Sequence, residues 1–449
     1  MHVFADLPCD FLWGVATSAY QIEGAVRADG RGPSIWDTFA ARPGTIANGD
    51  TGEIACDFYH RYRDDIALMR TLGVDVFRFS VAWPRILPAG RGRVNAAGLD
   101  FYDRLVDELL AAGIQPFVTL FHWDLPQALE DAGGWPERAT AEAFAIYAEI
   151  VARRLGDRVR LWTTHNEPYC ASWLGYVTGE FAPGRTDLAA GAAAAHHILL
   201  SHGLAAAAIR RECATAQLGI VLDSWPQDPA TDDERDVAAA RAADGIRNRL
   251  FFDPVLLGRY PADVLEQLGR AAPPVRDGDL ATIATPLDFL GINNYSRNLV
   301  RAGDDGQPEV VAPTGPLTDM GWEIHPPGLY EVLMRLDHDY GAPPLIVTET
   351  GAAFPDRRRA GGAIDDADRI AYLDAYLGAV LDAIADGADV RGHLVWSLLD
   401  NFEWSEGYAK RFGLVHVDYA TLERTPKASF FWYRDTIARS RAERAAPAA

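Results

Sequence analysis

The stretch VRLWTTHNEP, from Val159 to Pro168, joins a short apolar run to a cluster of polar side chains that includes Glu167. A second stretch, LIVTETG from Leu345 to Gly351, has the same form and delivers Glu349. Apolar runs of four to eight residues rich in β-branched and aromatic side chains are typical of buried strands. In parallel β/α folds the chemistry lies at the carboxyl ends of the strands, so the two stretches predict two strand-end carboxylates.

Runs of this kind recur along the whole chain, and amphipathic stretches separate them. The eight runs are Phe11–Ala16, Val74–Val81, Gln115–Phe121, Val159–Thr164, Gln217–Leu222, Leu287–Ile292, Leu345–Thr348 and His393–Leu398. Between them, Gly98–Ala112 and Ala141–Leu155 carry apolar residues at helical spacing. Alternating strands and helices predict parallel βαβ units, and eight of them predict an α/β fold, a (β/α)8 TIM barrel.

The length of the chain bears on its domain organisation. Its 449 residues allow up to three domains of about 150 residues. They also give about 56 residues for each of eight units, which predicts elaborated βα loops. No Ser/Gly-rich or Pro-rich linker divides the chain, so we expect one catalytic domain over residues 1–449, with a frayed tail at 439–449. A doubly wound open sheet is the alternative, but the Gly-x-Gly-x-x-Gly fingerprint expected after its first strand is absent.

Charge and cysteine content exclude several classes of function. The chain has 63 acidic and 42 basic side chains, a net charge of −21, which disfavours nucleic-acid and anionic-membrane partners. No stretch of 18 apolar residues and no secretory signal is seen, and the four cysteines form no Cys-x-x-Cys pair. We therefore expect a cytoplasmic enzyme with free thiols and a small-molecule substrate. A homo-oligomer stays open.

Polar and aromatic side chains follow nearly every run. The ones that matter here are Arg78, His122, Asn166, Glu167, Tyr295, Glu349, Trp396, Glu403 and Trp404. This density fits a site that holds many hydroxyl groups and stacks on a flat apolar face, which describes a sugar. No cluster has metal-ligand spacing, so we expect neither a metal nor another cofactor.

Glu167 and Glu349 follow the fourth and seventh runs, which face each other across an eight-stranded ring. Hydrolysis of a glycosidic bond needs two such carboxyl groups, one neutral and one ionised. Taken singly, each glutamate fits a buried ion pair equally well. The pair together with its polar neighbours favours catalysis.

Longer motifs carry a family resemblance. They are FLWGVATSAYQIEG (Phe11–Gly24), FRFSVAWPRI (Phe77–Ile86), TLFHWDLPQAL (Thr119–Leu129), THNEP (Thr164–Pro168), VTETG (Val347–Gly351) and NFEWSEGYAKRFGLVHVDY (Asn401–Tyr419). Together they resemble glycoside hydrolase family 1, the retaining β-glucosidases and related β-glycosidases. The similarity extends from about Phe4 to Tyr433.

The resemblance implies specific catalytic roles. Glu167 matches the general acid/base and Glu349 the nucleophile, with Arg78 and Tyr295 as partners that keep the nucleophile ionised. A retaining mechanism implies carboxyl groups about 5–5.5 Å apart.

The resemblance also implies a sugar site. The residues that match it are Gln21, His122, Asn166, Trp396, Glu403 and Trp404. Gln21 and Glu403 would hold hydroxyls 3, 4 and 6, Asn166 would bind the 2-hydroxyl, and Trp396 would stack on the ring. Trp123 fits either support of this site or the core. An aglycone entrance is expected from Trp322, Tyr176 and Phe181.

Four positions depart from the family pattern. A fifth position, Glu403, indicates whether the sugar is phosphorylated. Thr350 replaces the usual Asn after the nucleophile, while His165, Asn294 and Phe181 replace residues commoner in the family. We expect these changes to tune the site rather than abolish activity. Glu403 stands where relatives that act on 6-phosphorylated sugars hold phosphate, so an unphosphorylated sugar is expected.

The expected activity is that of a retaining, exo-acting β-glucosidase. It would release terminal non-reducing β-D-glucose from β-glucosides and short β-gluco-oligosaccharides. Broader β-galactosidase or β-fucosidase activity, or transglycosylation, stays open because the same residues can hold axial and equatorial hydroxyls. A sugar-binding protein without chemistry would lack one of the two glutamates, and both Glu167 and Glu349 are present.

Overall fold

Eight parallel strands close into a barrel in the computed structural model, which describes residues 2–4 and 7–445. The strands are β1 (Leu12–Ala16), β2 (Val76–Ser80), β3 (Gln115–Phe121), β4 (Leu161–Asn166), β5 (Gln217–Asp223), β6 (Leu290–Asn293), β7 (Leu345–Thr350) and β8 (Val390–Trp396). Each strand pairs with its neighbours in chain order, and β1 pairs with β8. The predicted TIM barrel is confirmed, and the open sheet is excluded.

Long helices surround the barrel. They are α1 (Phe58–Leu72), α2 (Ala96–Ala111), α3 (Arg138–Leu155), α4 (Leu188–Glu212), α5 (Glu234–Asp244), α6 (Pro326–His338), α7 (Ala367–Ala385) and α8 (Ala428–Ala445). Helices α2 and α3 confirm the two amphipathic stretches. In α2, Phe101, Tyr102, Leu105 and Leu109 are buried, whereas Asp100 is exposed, as a helix with one apolar face requires.

The βα loops are elaborated as expected. Shorter helices are Ala19–Ile22, Ile35–Ala40, Trp83–Ile86, Gln127–Glu130, Leu250–Phe252, Ala262–Leu268 and Asp279–Ile283, and wider π-helical turns are Cys170–Thr178, Gly245–Arg249 and Asp253–Leu257. Three small sheets lie outside the barrel. In the first, Asn298–Ala302 pairs with Gln227–Pro229 on one side and with Pro308–Val311 on the other. The other two pair Arg357–Arg358 with Ile364–Asp365, and Val415–Val417 with Arg424–Pro426.

Apolar side chains plug one end of the barrel. Val76, Phe117, Leu161 and Ile346 come from the first halves of their strands and form one buried cluster with Phe289 and Leu394. Because this layer lies toward the amino ends of the strands, it closes that end. The barrel interior therefore opens only at the carboxyl ends of the strands.

Helix α4 is the one helix in the described residues that is long and apolar enough to cross a membrane. However, 83% of its apolar window is buried inside the fold. Its apolar character is therefore that of a core helix, and it packs against α3.

The carboxyl-terminal region differs from the expectation of a tail frayed from residue 439. Helix α8 continues to Ala445, and only residues 446–449 lie outside the described part of the chain. Arg441 donates to Asp75 Oδ1 at 2.5 Å, and Glu443 accepts from the Phe4 amide at 2.9 Å. The charged end of the helix is thus tied to the barrel, which a composition-based prediction does not detect.

Candidate active site

A pocket of about 620 Å³ opens at the carboxyl ends of the strands. Glu167, directly after β4, and Glu349, within β7, both line it. The pairing of β4 with β5 shifts register between Thr163 and Asn166, and that of β7 with β6 shifts between Val347 and Glu349. Such irregularities re-aim side chains beside active sites, and here they precede both carboxylates.

Glu349 has two strong hydrogen-bond donors. Arg78 Nη1 donates to one carboxylate oxygen, and Tyr295 Oη donates to the other at 2.5 Å. Burial raises the pKa of Glu349, while the Arg78 charge and the Tyr295 hydrogen bond oppose that rise. Both donors favour the ionised carboxylate.

Glu167 has a different environment. Asn293 Nδ2 donates to its Oε1 at 2.7 Å, so its partner is a neutral amide. Burial raises the pKa of Glu167 well above its ordinary value, and the negative charges of Asp223 and Glu349 raise it further. Of the two carboxyl groups, Glu167 therefore holds its proton more strongly, because only at Glu349 do a guanidinium and a phenol oppose the effect of burial.

Asn166 connects the two groups. Its Oδ1 accepts from Arg78 at 2.6 Å and from Asn293 at 3.0 Å, and its Nδ2 lies 3.1 Å from His122 Nε2. Burial and the Arg78 charge lower the pKa of His122 well below its ordinary value, so the imidazole is neutral. The His122 Nδ1 is buried and has no hydrogen-bond partner among the described residues.

Gln21 and Glu403 form a second polar pair. Gln21 is fully buried, and its Nε2 donates to Phe402 O at 2.9 Å and to Glu403 Oε2 at 3.4 Å, while Ser18 donates to its Oε1 at 2.6 Å. Burial and the neighbouring charge of Glu349 raise the pKa of Glu403 to about 8. Glu403 therefore lies at the pocket surface with Gln21 fixed behind it.

Indole rings form the apolar part of the pocket. Trp396 stacks on His122 with ring centroids 5.7 Å apart, and Trp404 packs on Trp123 at 4.5 Å. Trp123 donates its indole N–H to Asn166 O at 2.9 Å and also lines the pocket. Trp123, Glu167 and Trp404 all have positive φ, at 76°, 49° and 49°. Strained backbone of this kind concentrates at functional sites.

The expected aglycone entrance is partly wrong. Trp322 and Phe181 line the pocket, but Tyr176 is fully buried and does not. The Tyr176 hydroxyl donates to Glu130, and the Arg185 guanidinium lies 5.2 Å from its ring centroid. Tyr176 lies in the π-helical turn Cys170–Thr178, whose wider backbone changes which side chains share a face.

Three of the four departures lie away from the pocket. His165 is 2.7 Å from Ser201 Oγ and packs on Phe144, and Asn294 donates to Ser224 O at 2.7 Å. Thr350 is fully buried at the end of β7. Only Phe181 is placed to contact a substrate.

Sequence reasoning missed several pocket residues, among them Asp223, Trp225 and Arg247. Asp223 ends β5, while Trp225 and Arg247 come from the connection that follows. Asp223 ends an apolar run as Glu349 does, so the strand-end rule applied to the fifth run finds it. Arg247 lies in an irregular connection and has no such signal.

Among the described residues, two groups of three have ligand-type atoms close together. One is Glu167, Cys170 and Asp223, and the other is Asp356, Asp400 and His416. In the second group Lys427 Nζ lies 2.7 Å from Asp400 and 2.9 Å from Asp356. The lysine supplies there the positive charge that a cation would.

Two buried carboxyl groups in unequal electrostatic environments, with amides, an imidazole and indoles around them, define a glycoside-cleaving site on a TIM barrel. Comparison with known proteins agrees. Residues 3–442 match the model of glycosyl hydrolase family 1, and the chain belongs to this family.

Among its relatives, the thermostable beta-glucosidase B of Thermobispora bispora is 52% identical over 442 residues, which cover 96% of this chain and 91% of that protein. The bifunctional beta-D-glucosidase/beta-D-fucosidase of Bifidobacterium breve is 49% identical over 457 residues, covering 96% and 98%. The solved structure of the Thermotoga maritima beta-glucosidase in complex with glucoimidazole superposes with a TM-score of 0.95 at 45% identity, covering 97% of this chain and 99% of that one.

Proposed function

We propose that this protein is a retaining, exo-acting β-glucosidase whose whole chain forms one catalytic domain. Its substrates are β-glucosides and short β-gluco-oligosaccharides, from which it releases the terminal non-reducing β-D-glucose. The observation that carries the proposal is the unequal environment of the two pocket carboxyl groups. Glu349 receives a guanidinium and a phenol, and Glu167 receives a neutral amide.

In the first step, the ionised Glu349 attacks the anomeric carbon while Glu167 gives its proton to the leaving oxygen. The product is a glycosyl ester on Glu349, and the aglycone leaves as an alcohol. Formation of the ester removes the negative charge of Glu349, which lowers the pKa of Glu167. Glu167 then takes a proton from water, which attacks the same carbon and releases glucose with its configuration retained. A carboxyl separation of about 5–5.5 Å stays a prediction of this mechanism.

The remaining pocket groups bind the sugar. Glu403, supported by Gln21, accepts from hydroxyls on the far side of the ring from the scissile bond, and His122 adds a donor. Asn166, oriented by Arg78 and Asn293, binds the 2-hydroxyl, a contact that strengthens as the transition state forms. Trp396 gives the ring an apolar face.

The closed end of the barrel supports exo action. The apolar cluster that includes Phe117 and Leu394 blocks the amino ends of the strands, so a chain cannot pass through the site. Only a terminal sugar reaches the bottom of the pocket. The aglycone then lies toward Trp322 and Phe181 at the opening.

Two features support narrower choices. The Glu403 carboxyl in the sugar pocket disfavours a 6-phosphate, which favours unphosphorylated sugars. Cys9, Cys56, Cys170 and Cys213 are free, which supports a cytoplasmic location, where thiols stay reduced.

β-Fucosidase activity on the same site is the second candidate. A relative of 49% identity carries both activities in its name. Fucose lacks the 6-hydroxyl and has an axial 4-hydroxyl, so both activities require that Glu403 and Gln21 tolerate changes at these two positions.

The test is hydrolysis of aryl β-D-glucoside, galactoside and fucoside, followed by proton NMR of the sugar as it is released. We expect the glucoside to be cleaved and β-glucose to appear before mutarotation. The proposal would be contradicted if α-glucose appeared first or if no substrate were cleaved. The Glu349→Gln variant controls for contaminating glycosidases, since it keeps the size of the side chain and removes the nucleophile.

A further inference from the structure

Asp223 places a third carboxylate beside Glu167. One oxygen of Asp223, one of Glu167 and the Cys170 sulfur all lie within 4.8 Å of one another. The Asp223 side chain is only 4% exposed, so water screens this interaction weakly. A like charge this close holds the proton on a buried carboxyl group.

Arg247 fixes Asp223 from the other side. Its Nη2 lies 2.5 Å from Asp223 Oδ2, and its guanidinium carbon lies 3.8 Å from the centroid of Tyr169 and 5.4 Å from that of Trp225. The guanidinium is thus held between two aromatic rings and one carboxylate. Its charge and its hydrogen bond favour the ionised form of Asp223 and oppose the rise in pKa that burial causes.

The other groups that face Glu167 cannot play the same part. Burial raises the pKa of Cys170 well above its ordinary value, so the thiol is neutral. The Tyr295 hydroxyl is neutral for the same reason, and Asn293 carries no charge. Glu349 is charged, but the proposed reaction removes its charge when the glycosyl ester forms.

Glu403 is the remaining carboxyl group, and it lies on the sugar side of the pocket with Gln21 and Trp396. Asp223 lies on the other side, with Arg247, Tyr169 and Trp225. Its charge is therefore the one beside Glu167 that persists through both steps of the reaction.

We propose that Asp223, held by Arg247, is a positioning residue that sets the protonation of Glu167 in both half-reactions. This inference rests on the proposed role of Glu167 as acid/base. The constant negative charge keeps Glu167 protonated to higher pH as the acid, and makes it a stronger base toward water after glycosylation.

The test is the pH dependence of kcat/KM on an aryl β-glucoside for wild type and Asp223→Asn. Removal of the charge lowers the pKa of Glu167, so the alkaline limb should move about one unit to lower pH. Arg247→Met should move it the other way, because loss of the cation lets the Glu167–Asp223 pair keep its proton longer. Its plateau should also fall, since Asp223 then takes part of the proton.

Opposite shifts distinguish electrostatics from structural damage, which lowers the plateau without moving the limb. Asp253→Asn is the matched control: Asp253 is buried and accepts from Tyr340 at 2.8 Å, outside the pocket, and this variant should keep the wild-type limb. In a Glu167→Ala background, Asp223→Asn should move no limb.

An alkaline limb unmoved in both Asp223→Asn and Arg247→Met overturns the inference while leaving the proposed function intact. If one variant does not fold, the other decides alone. A wild-type enzyme that cleaves no aryl β-glycoside overturns the proposed function and this inference together.

Discussion

Two buried groups of charged residues differ in their balance of carboxylates and cations. The pocket holds Glu167, Asp223, Glu349 and Glu403, and burial raises the pKa of each. The other group, here the Asp400 cluster, consists of Asp356, Asp400, Arg411, His416 and Lys427. In the Asp400 cluster burial also raises the pKa of both aspartates, but the facing cations more than offset it and the net pKa is lowered.

The difference separates two uses of buried charge. In the Asp400 cluster each carboxylate meets cations at 2.7–2.9 Å, and Asp400 also accepts from the Gly413 amide. This cluster links the loops after β7 and β8 to the start of α8. The pocket instead leaves Glu167 and Glu403 without a cation in contact among the described residues. Such crowding costs stability and makes protonation responsive to substrate.

The largest expected effect is the loss of kcat when Glu349 is replaced. Glu349→Gly should lower kcat on aryl β-glucosides by more than about 10⁴-fold, because the covalent step has no nucleophile. Azide or formate should restore turnover by occupying the vacated space, and the product with azide should have the α configuration. Glu212→Gln, on the surface, should leave kcat unchanged.

Glu167 should show a dependence on the leaving group. Glu167→Ala should slow hydrolysis of cellobiose by about 10²–10⁴-fold, because its glucose leaving group needs a proton. Cleavage of 2,4-dinitrophenyl β-glucoside, whose leaving group needs none, should change little in the glycosylation step. Pre-steady-state kinetics separates that step from hydrolysis of the ester. Equal losses on both substrates would count against the acid role.

Substitution of Lys427 tests how much the Asp400 cluster contributes to stability. Lys427→Met should lower the free energy of unfolding by about 3–5 kcal/mol, since it leaves Asp400 and Asp356 short of a buried partner. The chain's other lysine gives a matched control: Lys410 lies 3.5 Å from Asp319 and is partly exposed, so Lys410→Met should cost less than about 1 kcal/mol. Urea unfolding measures both. Equal effects would remove the contrast between buried and exposed pairs.

Substitution of Glu403 gives the smallest expected effect, a change in the free energy of unfolding that depends on pH. Its pKa is about 8 in the fold and near 4.5 when unfolded, so ionisation in the fold costs stability. That cost begins above pH 4.5, grows with pH and levels off above pH 8. Glu403→Gln should therefore be about 2 kcal/mol more stable than wild type at pH 6 and nearly equal to it at pH 4.5. A stability gain that is independent of pH would contradict this origin.

Much of the fold followed from local pattern. All eight strands are present because each is a buried apolar run between helical stretches, and this signal is local in sequence. Boundaries moved by a few residues: β8 begins at Val390 and ends at Trp396, because pairing with β1 and β7, and not composition, sets where a strand stops. The end of α8 was missed because its stability comes from distant partners such as Asp75.

The site was predictable where residues end strands and less so in the loops. Glu167, Glu349 and Tyr295 reach the pocket from strand ends. Tyr176 was misplaced because a π-helical turn alters side-chain direction without any mark in the sequence. The pocket position of Arg247 could not be predicted from the sequence. A long connection brings this residue back to Asp223 at the end of β5, and that path depends on tertiary packing.

The plug of apolar side chains at the amino end of the barrel has a kinetic consequence. In a site with one opening, release and binding are ordered. The departing alcohol must leave through the opening before water enters, and glucose must leave before another substrate binds. Free glucose and substrate therefore compete for the same empty enzyme. As product accumulates, turnover therefore slows because glucose occupies the pocket.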